Sequence, residues 1–140
     1  PDLNSDALGD VAEVALAQDI AAVIATNTTL ARDGLKSPNR DEAGGLSGVP
    51  LFEKSTRVLA QLSKLMGPKI PLIGVGGIRS GADAYAKVCA GASAVQLYTG
   101  LVFGGVSLVA EIAKDLERLL EKDGFERLED AIGSNREAWL

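Results

Sequence analysis

Pro71-Leu72-Ile73-Gly74-Val75-Gly76-Gly77-Ile78-Arg79-Ser80-Gly81 is the stretch on which the fold turns. Five mostly apolar residues open into a glycine pair, and the helical pattern Ala82 to Ala90 follows, with Gly91 at its expected C-terminal cap. A short apolar run bounded by turn residues fits a strand buried inside a parallel sheet. Strand, glycine turn and helix in that order make one unit of an α/β fold.

The same grammar recurs on both sides. Upstream, Asn4-Ser5-Asp6 supplies candidate helix N-caps, and Leu8, Val11, Ala12, Ala15 and Leu16 recur at helical spacing. Ala21-Ala22-Val23-Ile24-Ala25 then reads as a strand buried on both faces, ended by Thr26-Asn27-Thr28-Thr29. A loop punctuated by Gly and Pro runs from about Leu30 to Pro50, and Val58, Leu59, Leu62 and Leu65 mark the next helix, stopped at Met66-Gly67-Pro68. Downstream, Ala94-Val95-Gln96-Leu97-Tyr98 reads as a third strand ending at Thr99-Gly100. Val109, Ile112, Leu116, Leu119 and Leu120 form a last amphipathic helix with Glu and Lys on its solvent side.

Alternation of this kind implies a parallel sheet with right-handed crossovers. Three strands cannot close a barrel, since eight with their helices need about 250 residues. The expected fold class is therefore α/β, an open C-terminal part of a (β/α)8 TIM barrel comprising helix 5 and βα units 6 to 8. Residues 1–140 are read as one segment of a single barrel domain. The chain opens Pro1-Asp2-Leu3 without an initiator methionine or a signal-peptide pattern, the start expected of a segment from within a longer protein, with a trimmed tag or disordered N-terminus as the alternative.

Composition narrows the chemistry. The formal net charge is -5 and aromatic residues make up 4%, which argue against a nucleic-acid partner: phosphate backbones need clustered Lys and Arg, and bases need stacking platforms. There is no histidine, so the Ser-His-Asp triad and histidine general-base chemistry are excluded, along with the usual zinc ligands. Cys89 is the only cysteine and falls in a helical apolar pattern, as a buried structural thiol would. No metal site is expected. No apolar run approaches the roughly 18 to 20 residues of a membrane helix, and the chain itself is expected to be soluble.

Polar and glycine residues gather at the C-terminal ends of all three strands, where a (β/α)8 barrel builds its active site. Thr26-Asn27-Thr28-Thr29, taken alone, equally suits a strand terminus with a turn cap. The run Gly74 to Gly81 suits a phosphate loop, because glycines bare the backbone N–H groups and the next helix adds its positive end, and a plain tight βα turn is the alternative. A dinucleotide fingerprint fails: Arg79 stands in the third glycine's place, and no acidic residue for a ribose follows the next strand. Gln96-Leu97-Tyr98-Thr99-Gly100 fits the second half of a phosphate cup, and Gly44-Gly45-Leu46-Ser47-Gly48 adds backbone donors within reach of a flat ring. Tyr98 alone fits a barrel-rim core residue as well as a ligand contact. Charged residues form no obvious acid–base pair.

Four stretches together carry a resemblance: Ala25 to Thr29, Gly44 to Leu51, Ile73 to Ile78 and Val95 to Gly100, with Asp130-Ala131-Ile132-Gly133 near the end. In order and separation they resemble the C-terminal portion of class 2 (quinone-dependent) dihydroorotate dehydrogenases, and the resemblance spans nearly all of the chain. It implies an FMN enzyme of pyrimidine synthesis that oxidises dihydroorotate to orotate and passes electrons to a quinone. By position, Thr26, Gly48, Gly77, Tyr98 and Thr99 would contact FMN, and Asn27 and Thr28 would hydrogen-bond orotate. The family's serine base and a flavin-contacting lysine would lie upstream of Pro1, so this chain carries no catalytic residue and is expected to be inactive alone. The resemblance also implies a parent enzyme peripheral to the bacterial cytoplasmic membrane, or to the mitochondrial inner membrane in a eukaryote. Gly104-Gly105-Val106 stands where the family often has Gly-Pro-Pro. Two alternatives are a phosphate-binding barrel segment without redox chemistry and a self-associating half-barrel whose open strand edges invite pairing.

Overall fold

The computed structural model describes residues 1–140. Helix α1 (Ser5–Ala17) is started by Asn4, whose side chain accepts from the Ala7 N–H at 2.9 Å. Strand β1 (Val23–Ala25) follows, and the long loop ends in a 3-10 turn at Val49–Leu51 that feeds α2 (Phe52–Met66). Next come β2 (Leu72–Val75), α3 (Gly81–Ala90) and β3 (Ala94–Gln96). A short helix α4 (Thr99–Gly104) precedes α5 (Leu108–Asp123), the one-turn α6 (Leu128–Ala131) and a final 3-10 turn at Arg136–Trp139. Ser80 caps α3 by accepting from the Asp83 N–H at 3.2 Å, while the Asp83 carboxylate accepts from the Arg79 N–H at 3.1 Å.

The three strands are parallel and lie in the order β1-β2-β3. Ile24 pairs with Ile73 and Ile73 with Ala94, while Ala25, Gly74 and Val95 form the next row. Side chains alternate along a strand, so Val23, Ala25, Leu72, Gly74 and Val95 look one way and Ile24, Ile73, Val75, Ala94 and Gln96 the other. The first set packs on the helices. Ala25 and Leu72, with Leu8, Ala12 and Ala15 of α1 and Leu59, Ala60, Leu62 and Met66 of α2, make the main core. A smaller cluster, Ile78, Ala84, Leu108 and Ile112, joins α3 to α5. The tail folds back under both: Gly133 and Asn135 donate to the Val88 and Cys89 carbonyls at 3.0 Å, and Trp139 meets Phe52 edge-on at 6.0 Å.

Several expectations need correction. The β1 run is not buried on both faces, because helices cover only one side of this sheet. Ile24 is 57% exposed, and Ala94 and Gln96 are exposed on the same face. β1 and β3 are also shorter than Ala21–Ala25 and Ala94–Tyr98, and Leu97-Tyr98 turn directly into α4. The apolar stripes are broader than the faces they bury: Val11, Leu65 and Val109 are exposed, and Leu108 rather than Val109 anchors α5. Cys89 is buried, as its position implied. The fold is α/β with an open parallel sheet, a partial (β/α)8 barrel. No helix is long and apolar enough to cross a membrane.

Candidate functional site at the carboxyl ends of the strands

Each parallel strand delivers the chain to the same end of the sheet, and there the three following loops enclose a cleft of about 980 Å³. Thr26, Asn27, Thr28, Gly48, Gly77, Tyr98 and Thr99 all line it. Seven positions spread over 74 residues of sequence, from 26 to 99, are thus brought to one concavity. Ser47, Arg79 and Phe103 line it too, and none of the three stood out from the sequence. Ser47 alone carried a signal, as the one hydroxyl inside the Gly44–Gly48 run.

The floor is built on glycine for steric reasons visible at named atoms. Gly76 and Gly77 have φ of 112° and 77°, the left-handed side that L side chains rarely adopt. A Cβ at Gly77 would stand 2.5 Å from Phe52 Cβ, 2.6 Å from its Cα and 2.8 Å from its N. A Cβ at Gly76 would stand 2.7 Å from Ser55 Oγ. Phe52 and Ser55 belong to α2 and do not line the cleft. The glycines are therefore needed so that the loop can lie on the start of α2, and what they show the cleft is bare backbone. The N–H groups of Gly77 and Ile78 donate to no acceptor in the chain. The first turn of α4 adds N–H groups with no intrahelical acceptor. A Cβ at Gly100 would stand 2.5 Å from the Ile78 carbonyl oxygen, so the two donor-bearing turns abut.

The opposite wall comes from the loop after β1. Thr99 Oγ1 donates to Ser47 Oγ at 2.9 Å, and a Cβ at Gly48 would lie 3.2 Å from Thr99 Cγ2. Loop and α4 are thereby joined across the cleft mouth. Asn27 Oδ1 accepts from the Thr28 N–H at 2.7 Å, and Thr28 Oγ1 lies at 3.3 Å. The carboxamide is thus folded over its own turn, and its amide nitrogen donates to nothing in the chain. Gly45 packs so closely on Thr28 that any side chain there would collide with the Thr28 hydroxyl. Tyr98, 82% exposed, stands at the rim rather than in a core.

Behind this wall lies a clamp that sequence reading did not find. Asp2 accepts from the Lys54 ammonium, from Thr29 Oγ1 at 2.6 Å and from the Leu30 N–H at 2.9 Å. The bond from Lys54, then that from Thr29 and that from Leu30, hold its carboxyl well below the usual carboxylate range. Thr29 and Leu46 exchange backbone bonds at 3.1 and 2.7 Å just beyond it. The result is a fixed base for Asn27 and Thr28.

Chemically, the cleft offers hydrogen-bond donors and two exposed aromatic rings, Tyr98 and Phe103, but no carboxylate among its lining residues. Arg79, on the rim, is paired with Asp83 at 3.6 Å. Such a site is suited to receive an anion and a planar polar molecule; it has no carboxylate to serve as a general base.

Comparison with known proteins gives this geometry a family. A family model described as "Dihydroorotate dehydrogenase" matches residues 1–120. The "Dihydroorotate dehydrogenase (quinone)" of Cereibacter sphaeroides (strain KD131 / KCTC 12085) is 59% identical over 140 residues, covering 100% of this chain and 40% of that protein. The protein of the same name from Parvibaculum lavamentivorans (strain DS-1 / DSM 13023 / NCIMB 13966) is 54% identical over 136 residues, covering 96% of this chain and 39% of that protein. Among solved structures, a ligand-free DHODH from Eimeria tenella superposes with a TM-score of 0.93 at 38% identity, over 96% of this chain and 38% of the other. The chain spans about two fifths of the length of the curated relatives it matches. Over that span, in sequence and in fold, the chain belongs to the dihydroorotate dehydrogenase family.

Proposed function

We propose that this chain is the portion of a quinone-linked dihydroorotate dehydrogenase that grips the phosphate end of FMN and one edge of the substrate, within a single (β/α)8 barrel domain. One observation carries the reading: every residue with an expected ligand role lines one cleft, beside the donors of Gly77 and Ile78 that are unused within the chain. Those donors fit a phosphate, and the cleft volume suits a ligand of flavin size. Gly77, Tyr98 and Thr99 would hold the phosphate end of FMN, and Thr26 and Gly48 would meet the rest of the cofactor. Asn27 and Thr28 would bind dihydroorotate, because a carboxamide and a hydroxyl can donate and accept at the mixed polar edge of a pyrimidine.

Bound there, FMN supplies a hydride acceptor. The chain's own contribution is orientation: the Asp2–Lys54–Thr29 clamp fixes the turn bearing Asn27 and Thr28, and the Ser47–Thr99 bond joins that loop to the cup. No residue here is assigned the base. Contact with the membrane and with quinone is assigned to other parts of the whole enzyme. The test is purification of the full-length protein, with its absorbance spectrum and a dihydroorotate-dependent quinone reduction assay. Bound flavin and turnover are expected. A flavin-free protein that still binds phosphate would overturn the reading in favour of a non-redox barrel.

A further inference from the structure

Lys87 is the least expected residue in the molecule. It lies in the last turn of α3 and is fully buried, at 0% exposure. A lysine is almost never buried without a partner carboxylate, yet its ammonium makes one hydrogen bond in the chain, to Ser55 Oγ at 2.6 Å, and lies 5.1 Å from the Phe52 ring centroid. Ser55 Oγ shares its proton between the Phe52 carbonyl at 3.0 Å and the Gly76 carbonyl at 3.3 Å, and Phe52 is the residue on which Gly77 rests. A Cβ at Gly74 would lie 3.3 Å from Lys87 Cβ. The ammonium therefore hangs directly behind the glycine turn, on the side away from the cleft. Methionine would fill a similar volume without burying a charge, so packing alone does not account for a lysine here.

We propose that Lys87 is a positioning residue for the anion cup: through Ser55 it braces the Gly76-Gly77 turn, and it takes up a proton from solvent when a phosphate dianion enters the cup. This deepens the reading above and rests on it. Burial lowers the Lys87 pKa from 10.5 to about 7, against the opposing charge of Asp83 one turn earlier, which is itself paired with Arg79. The groups that meet Lys87 from α2 are Phe52 and Ser55, and from β2 Gly74, none of them ionisable, while α5 brings Asp115 against Gly81 and Asp123 against the Tyr85 hydroxyl of the same helix. Arg136 of the tail lies at the C-terminal end of α3, on Ser63. An anion nearby raises the Lys87 pKa, so binding takes up protons above about pH 7 and affinity falls as pH rises through that window. A phosphate monoester is already dianionic there, with a second pKa of about 6, so its own titration does not mask the effect.

The experiment is calorimetric titration of the flavin-stripped full-length protein with FMN at pH 8, in two buffers of different ionisation enthalpy. For a coupling on the order of ten- to a hundredfold, about 0.4 to 0.8 of a proton should be taken up per FMN. In Lys87→Met the uptake should vanish and FMN should bind about five- to fiftyfold more weakly at pH 7. Riboflavin, which lacks the phosphate, should bind both proteins alike. FMN binding to the unaltered protein without proton uptake would overturn the proposal. So would equal losses of FMN and riboflavin affinity in the variant, the mark of a purely structural role. If Lys87→Met does not fold, proton uptake by the unaltered protein decides alone. Failure of the unaltered protein to bind FMN at all would instead sink the assignment of the cleft to a flavin.

Discussion

Gly77→Ala should damage the phosphate cup from behind, through α2, and a second glycine supplies the control. Alanine at φ 77° bears a left-handed strain of about 1–2 kcal/mol. Its methyl group would also enter the space of Phe52, 2.5 Å from Cβ and 2.6 Å from Cα. Backbone at the start of a helix gives way less readily than a side-chain tip, so overpacking adds about 1–3 kcal/mol. The expected loss is about 2–5 kcal/mol of stability, with the loop lifted off α2 and FMN affinity falling in parallel. Gly105 has φ 72°, and a Cβ there would meet nothing within 4 Å. Gly105→Ala should therefore show the conformational strain alone, about 1–2 kcal/mol. Urea denaturation of the full-length protein, with FMN titration by fluorescence quenching, would measure both. Equal destabilisation of the two variants would refute the argument that contact with Phe52 selects glycine at 77.

Asn27→Ala in the full-length protein should lower kcat/KM for dihydroorotate at least about tenfold, as expected for one lost polar contact of about 1.4 kcal/mol, with flavin content unchanged; unaltered kinetics would remove Asn27 as a substrate contact. The isolated 140-residue chain should self-associate, because Ile24, Ile73 and Val75 form an apolar face without helices over it and β1 and β3 each have a free edge, and it should show no dihydroorotate oxidation, because no residue in it is assigned the base. Ile24→Lys should shift it towards monomer in light scattering, and a monodisperse monomer of the unsubstituted 140-residue chain would contradict this reading.

The order of strands and helices was legible because each strand is a short, mostly apolar run between turn residues, the pattern a parallel sheet leaves. The same property concealed which face was covered: a run apolar at every position looks alike whether or not Ile24 is packed. Helix α4 was not legible, since Gly100 and Gly104 are poor helix formers. Tertiary packing decides them, for a Cβ at either would crowd the Ile78 carbonyl or Leu108. The site residues stood out because glycine and hydroxyl residues cluster at strand ends. Asp2 did not, because its partners are 27, 28 and 52 residues away and nothing local marks an acidic residue as a clamp. Lys87 was hidden for the opposite reason, since a lysine late in a helix is ordinarily a solvated, dipole-compensating residue.

The paired bonds between Thr29 and Leu46 divide the long loop after β1 into two mechanical parts. Residues 30–45 become an Ω-shaped excursion, closed at its neck and further secured by Arg32, which donates to the Glu42 carbonyl at 3.1 Å and to that of Gly44 at 2.5 Å. Residues 26–28 lie on the other side of the neck, tied to the sheet by the Thr26 N–H to Val75 carbonyl bond at 3.3 Å. Fraying, insertion or substitution at the crown of the excursion is thereby insulated from Asn27 and Thr28. The crown is free to diverge in sequence, while the neck has to keep its bonds for the ligand-facing turn to hold its shape.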